Sequence, residues 1–140
     1  MSSPDPGDTE RRLTGIRRYA DQFGISELEV EQQFISTFGA EFTEEAFRAT
    51  GGAAWNAQPL DLRERSLIVV AILAALGGVE SRLAGHFRWA IAHGATVDEL
   101  RATLLMVANY AGFARASVAL EILATVIADE PGSLPDEQTK

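Results

Sequence analysis

Residues 62–94, LRERSLIVVAILAALGG followed by VESRLAGHFRWAIAHG, contain the pattern on which the fold turns. From Leu67 to Leu76 nearly every residue is apolar, and Gly77-Gly78 then stops the run. This predicts a helix that is apolar all round after Arg65, buried on every side in a core or in an interface between copies. The run has about half of the ~20 residues that a membrane-crossing helix needs. The next segment predicts an amphipathic helix closed by Gly94. Leu83, Phe87, Ala90 and Ile91 make its apolar stripe, and Arg82, His86, Trp89 and His93 make a second stripe beside it, because residues three or four apart share a helical face. Arg88 falls roughly on the opposite side.

Outward from this pair the chain reads as helices only. In TERRLTGIRRYADQF, Leu13, Ile16, Tyr19, Ala20 and Phe23 recur at helical spacing. Ser26–Glu29 is a capping box, and so is Thr96–Glu99. Thr43-Glu44-Glu45 opens a short helix that ends at Gly51-Gly52. A turn-rich link follows, with Trp55 and Pro59. The Thr96 helix runs to about Tyr110, Gly112 breaks it, and RASVALEILATVIADE closes the set. The expectation is an all-α, single-domain bundle of six or seven helices over residues 9–130. The polar, Pro- and Gly-containing segments 1–8 and 131–140 read as flexible tails.

Composition narrows the function. The chain has 140 residues, a formal net charge of −8 and 46% hydrophobic residues. One domain of this size can bury a core. The acidic balance, with basic residues no denser than pairs such as Arg11-Arg12, speaks against nucleic acid and against an anionic membrane. There is no cysteine, so disulfides, thiol redox chemistry and cysteine-held metals are excluded. The polar start MSSPDPGDTE does not look like a signal peptide, and a soluble cytoplasmic protein is expected. His86 and His93 lack the carboxylates at helical spacing that a metal site would use. Ser66, Ser81 and Ser117 match no nucleophile motif. His93 suits the negative end of a helix dipole. A helical histidine more often packs or hydrogen-bonds than reacts, so geometry alone leaves both roles open for His86.

Three segments in order, PLDLRERSLIVVAILAALG, LAGHFRWAIAHGATVDEL and LLMVANYAGFARASVAL, resemble the carboxymuconolactone decarboxylase family, the branch of the alkyl hydroperoxidase D-like fold without Cys-x-x-Cys. The likeness runs from about Trp55 to Ala119, and FGAEFTEEAF resembles the family's N-terminal helices. It implies a cofactor-free homo-oligomer, trimer or hexamer, acting on a small anionic substrate with no metal. His86 would be the central acid/base residue, with Arg65 as the family-matched cation for the carboxylate or enolate; helical spacing adds Arg82 as the candidate on the His86 face. Trp55, Trp89, Met106 and Tyr110 would line the substrate pocket, and Arg88 could contribute from a neighbouring copy. The implied reaction is decarboxylation of a lactone or vinylogous keto acid, with the histidine giving a proton to carbon. The sequence also departs from the family. Arg82 stands where a glutamate is usual, Ala102 and Met106 replace polar residues, Ala114 replaces a proline, and one extra residue precedes His86. These changes keep two alternatives open: a cofactor-free lyase, isomerase or cyclase for a larger apolar lactone or polyketide-like acid, and a non-catalytic small-molecule binder.

Overall fold

The computed structural model describes residue 3 and residues 5–129, and among these every regular element is helical. The chain divides into two compact units, Met1–Leu60 and Asp61–Lys140.

The first unit begins with α1 (Pro6–Phe23). The helix starts inside the segment expected to be a tail, because Asp5 accepts from the Gly7 N–H and Pro6 sits in the first turn, where a missing N–H costs nothing. Gly24, at φ 66, closes it. Ser26 and Glu29 form the expected capping box of α2 (Glu27–Phe38). The third helix differs from expectation. α3 (Ala40–Glu45) opens after Gly39, at φ 83, so Thr43 lies within it, fully buried, rather than capping it. It runs on into a π-helical turn, Ala46–Gly51, that carries Phe47 into the core. Ile16, Ala20, Val30 and Phe47 form that core, with Tyr19 and Phe34 packed against it edge to face at 4.8 Å. Burial raises the Tyr19 phenol pKa above its ordinary range.

Charges tie the same helices together. Glu44 receives Arg12 at 2.7 Å and Arg48 at 2.6 Å. Arg12 also reaches Glu31, and Arg48 reaches Asp8. The Arg12 hydrogen bond is the main force holding the Glu44 carboxyl below its usual range.

The second unit holds α4 (Leu62–Leu76), α5 (Glu80–Ala92), α6 (Val97–Ala111) and α7 (Phe113–Asp129). Asp61 and Glu64 cap α4 reciprocally, and Thr96 and Glu99 do the same for α6. Gly77 and Gly78, at φ 68 and 74, make the turn into α5, a conformation that suits glycine. Arg115 on α7 closes the end of α4 by donating to the Ala75 and Leu76 carbonyls. α7 begins two residues earlier than its apolar pattern suggests, directly after Gly112 at φ 126. The core gathers Val70 and Ala74 of α4, Leu83, Phe87 and Ala90 of α5, Leu100 and Leu104 of α6, and Leu123 and Val126 of α7. Within the chain α4 is not buried on every side. Val70 and Ala74 face the core, while Ile68, Ile72 and Leu76 lie along an exposed strip. None of the described helices is long and apolar enough to cross a membrane. The tail expected over 131–140 lies outside the described residues.

Two glycines should behave in opposite ways. A Cβ on Gly15 would stand 1.9 Å from the Phe47 carbonyl oxygen, whereas one on Gly85 would meet nothing within 4 Å. Gly15→Ala is expected to destabilise the protein by ~3 kcal/mol, the upper end for overpacking. Gly85→Ala should stabilise it by about 1 kcal/mol through helix propensity. Urea unfolding midpoints check both, and a neutral Gly15→Ala would contradict the close approach of α1 to the π turn.

Candidate functional site

α5 positions the site. Its apolar residues Leu83, Phe87 and Ala90 are buried, and this fixes the rotation of the helix. His86 is thereby held at the edge of the core, neither sealed inside nor fully in water. One turn on, Trp89 meets the imidazole edge to face, with ring centroids 4.7 Å apart and planes at 86°. One turn back, Arg82 is exposed, and its charge acts on His86.

The electrostatics change what His86 can do. Its pKa falls from 6.5 to about 4, first through burial, then through the charge of Arg82, then through His93. All three disfavour the imidazolium. With no ligand bound, His86 is a neutral imidazole at neutral pH.

The end of α5 shows a contact that the sequence did not suggest. His93 follows the last helical residue, and its Nδ1 lies 2.7 Å from Oγ of Ser66 on α4. Ser66 is fully buried and Arg65 beside it is 7% exposed, so the second turn of α4 packs a cation and a hydroxyl side by side. A serine at the head of an apolar run was the available signal, since a buried hydroxyl needs a partner. Its partner lies 27 residues away, beyond the reach of periodicity.

The remaining candidates belong to other elements or to another side of α5. Met106 and Tyr110 sit together on α6 in an open apolar depression of about 420 Å³, shared with Ala71, Ile72 and Ala75 of α4. Neither His86 nor Trp89 lines that depression, and Tyr110 is 87% exposed. Trp55 belongs to the first unit, buried in the short turn Ala54–Asn56. Arg88 is exposed. The second unit therefore brings together Arg82, His86 and Trp89 on one stripe of α5, with His93 and Ser66 paired at its end. Among the described residues no group of three or more histidines and carboxylates could hold a metal ion.

The half-buried imidazole of α5 lies in a segment with a recognisable family pattern. The pattern of the carboxymuconolactone decarboxylase family matches residues 41–125, and the chain belongs to that family. It is 28% identical over 133 residues to a 4-carboxymuconolactone decarboxylase from Acinetobacter baylyi, an alignment covering 95% of this chain and 98% of the relative. The match contains the whole histidine stripe.

Removing the neighbouring charge should be measurable at His86 itself. Arg82→Ala is expected to raise the His86 pKa above about 4, while leaving it below the ordinary 6.5 because burial is the larger cause. Proton NMR titration of the imidazole checks this, and an unchanged or lower value would contradict the assigned cause.

Proposed function

We propose that the protein is a cofactor-free carboxy-lyase resembling 4-carboxymuconolactone decarboxylase, with His86 as its proton carrier. The observation that carries this reading is a half-buried imidazole, set between Arg82 and Trp89, inside the segment that matches the family. In such a reaction the substrate's carbon–carboxylate bond breaks and CO₂ leaves. The electron pair passes into the conjugated carbonyl as a dienolate, and a proton then bonds to carbon. The substrate is its own electron sink, so the protein has to bind the carboxylate, stabilise the enolate oxygen and deliver the proton. Arg82 and Arg65 supply positive charge for the first two tasks.

The neutral resting state of His86 fits this sequence once substrate charge is counted. A bound carboxylate opposes the field of Arg82 and favours the imidazolium. His86 then takes up a proton as the anion arrives and passes it to carbon as the dienolate forms. Solvent returns the proton for the next turnover.

A second reading follows from the same neutral imidazole. A base that is uncharged in the empty site can also abstract a proton from a lactone or polyketide-like acid and catalyse isomerisation or cyclisation. CO₂ release distinguishes the two. With 4-carboxymuconolactone, His86→Gln is expected to lower kcat by 10²–10⁴-fold, the usual scale for general acid–base catalysis, with the fold retained. Near-normal turnover in a folded variant would remove His86 from the mechanism, and turnover without CO₂ would favour the second reading.

The exposed apolar residues suit assembly into a homo-oligomer, a trimer or hexamer. Ile68, Ile72, Leu76, Leu105, Met106, Tyr110 and Phe113 expose more large apolar side chains on adjacent helices than scattered surface residues account for. In such an assembly Tyr110 and Met106 would meet a neighbouring copy. Light scattering at micromolar concentration should give three or six times the chain mass of 15.1 kDa, and a monomer would contradict the proposal.

A further inference from the structure

A cavity of about 320 Å³ opens between α4, α5 and α7. It shares no residue with the α4–α6 depression, and no member of the histidine stripe lines it. Its walls are mostly hydrocarbon, from Leu73 of α4, Leu83 of α5, and Val118 and Ile122 of α7. Such walls offer water few hydrogen bonds and favour an apolar guest. An apolar cavity of ~150 Å³ admits one benzene ring, so this one has room for about two fused rings. That size falls at the lower end of small-molecule pockets.

Arg115 gives the cavity a cationic end. Arg12, Arg17, Arg48, Arg63 and Arg101 each pair with a carboxylate. Among the described residues Arg115 has no such partner. Its Nη1 donates to the carbonyls of Ala75 and Leu76 instead. Gly77 permits that approach, since a Cβ there would stand 2.8 Å from Nη1. The guanidinium is thus held through one nitrogen. It has five N–H donors, so its Nε and Nη2 edge keeps the fork that takes a carboxylate through two parallel bonds. A cation fixed before the ligand arrives loses little freedom on binding. Glu80 also lines the cavity, but it is exposed in the first turn of α5, and no described contact holds its carboxylate there. An exposed charge is screened by salt and can swing away from a guest.

We propose that this cavity is a binding site for a small carboxylic acid with an apolar, two-ring body. The body lies among Leu73, Leu83, Val118 and Ile122, and the carboxylate meets Arg115. None of these residues belongs to the histidine stripe, so the site stands whether or not His86 is a proton carrier.

The probe is 2-naphthoate, titrated into the full-length protein and followed by methyl NMR. The methyl signals of Leu73, Val118 and Ile122 are expected to shift, while those of Leu105 and Met106 on α6 stay in place. 2-Naphthalenemethanol, with the same rings and no charge, should bind ~10-fold more weakly, the scale of one lost hydrogen bond to a charged group. Arg115→Gln should weaken naphthoate by ~10-fold and leave the affinity for the alcohol unchanged. Glu80→Gln should strengthen naphthoate by removing a like charge. Val118 is partly exposed, so Val118→Trp can fill the cavity from its surface side and should abolish binding of both probes in a folded protein. If Arg115→Gln loosens the end of α4, the acid–alcohol comparison in the wild type and the Val118→Trp variant decide the matter. Shifts confined to α6 or to the histidine stripe would overturn the proposal. So would equal affinity for acid and alcohol, tighter binding of 2-naphthylmethylamine than of naphthoate, or undiminished binding to folded Val118→Trp.

Discussion

Everything at the histidine stripe depends on how α5 seats its apolar side in the second unit. Leu83, Phe87 and Ala90 are each 3% exposed or less, and burying such side chains is worth roughly 1.5–3 kcal/mol for the larger ones. That energy fixes the helix rotation, and rotation decides how much water reaches the adjacent stripe. His86 sits one residue before Phe87 and so falls at the boundary. A rotation of one residue step toward solvent would hydrate it and remove the main cause of its low pKa. The basicity of the imidazole is therefore set by hydrocarbon packing more than by its charged neighbours.

The helices themselves were legible in the sequence because their signals are local. The capping boxes at Ser26 and Thr96, the Gly77-Gly78 stop and the Leu83–Phe87–Ala90 stripe all appear where expected. Errors arose where local and tertiary preferences compete. Thr43 looks like a cap, yet Gly39 supplies the break and α3 continues through Thr43 into a π turn. The apolar run of α4 suggests burial throughout, but does not tell that Ile68, Ile72 and Leu76 lie on an exposed strip of the chain.

The site was legible only in part, for a related reason. His86, Arg82 and Trp89 share one helix, so spacing alone groups them. The Ser66–His93 contact joins two helices, and no periodicity within either one encodes it. The grouping of Tyr110 with His86 came from family likeness and had no geometric basis in the sequence. In the chain itself Tyr110 lines a different surface, with α4.

The charge cluster of the first unit bears on how this chain can diverge. Glu44 serves two guanidinium groups, and each of those holds a further carboxylate on another part of the chain. Replacing Glu44 takes one carboxylate from both Arg12 and Arg48 and leaves them Glu31 and Asp8, whereas replacing Asp8 or Glu31 takes a partner from one arginine only. Substitution at these positions is thus unequal. A change at an outer carboxylate is felt by one arginine, while a change at Glu44 is felt by both.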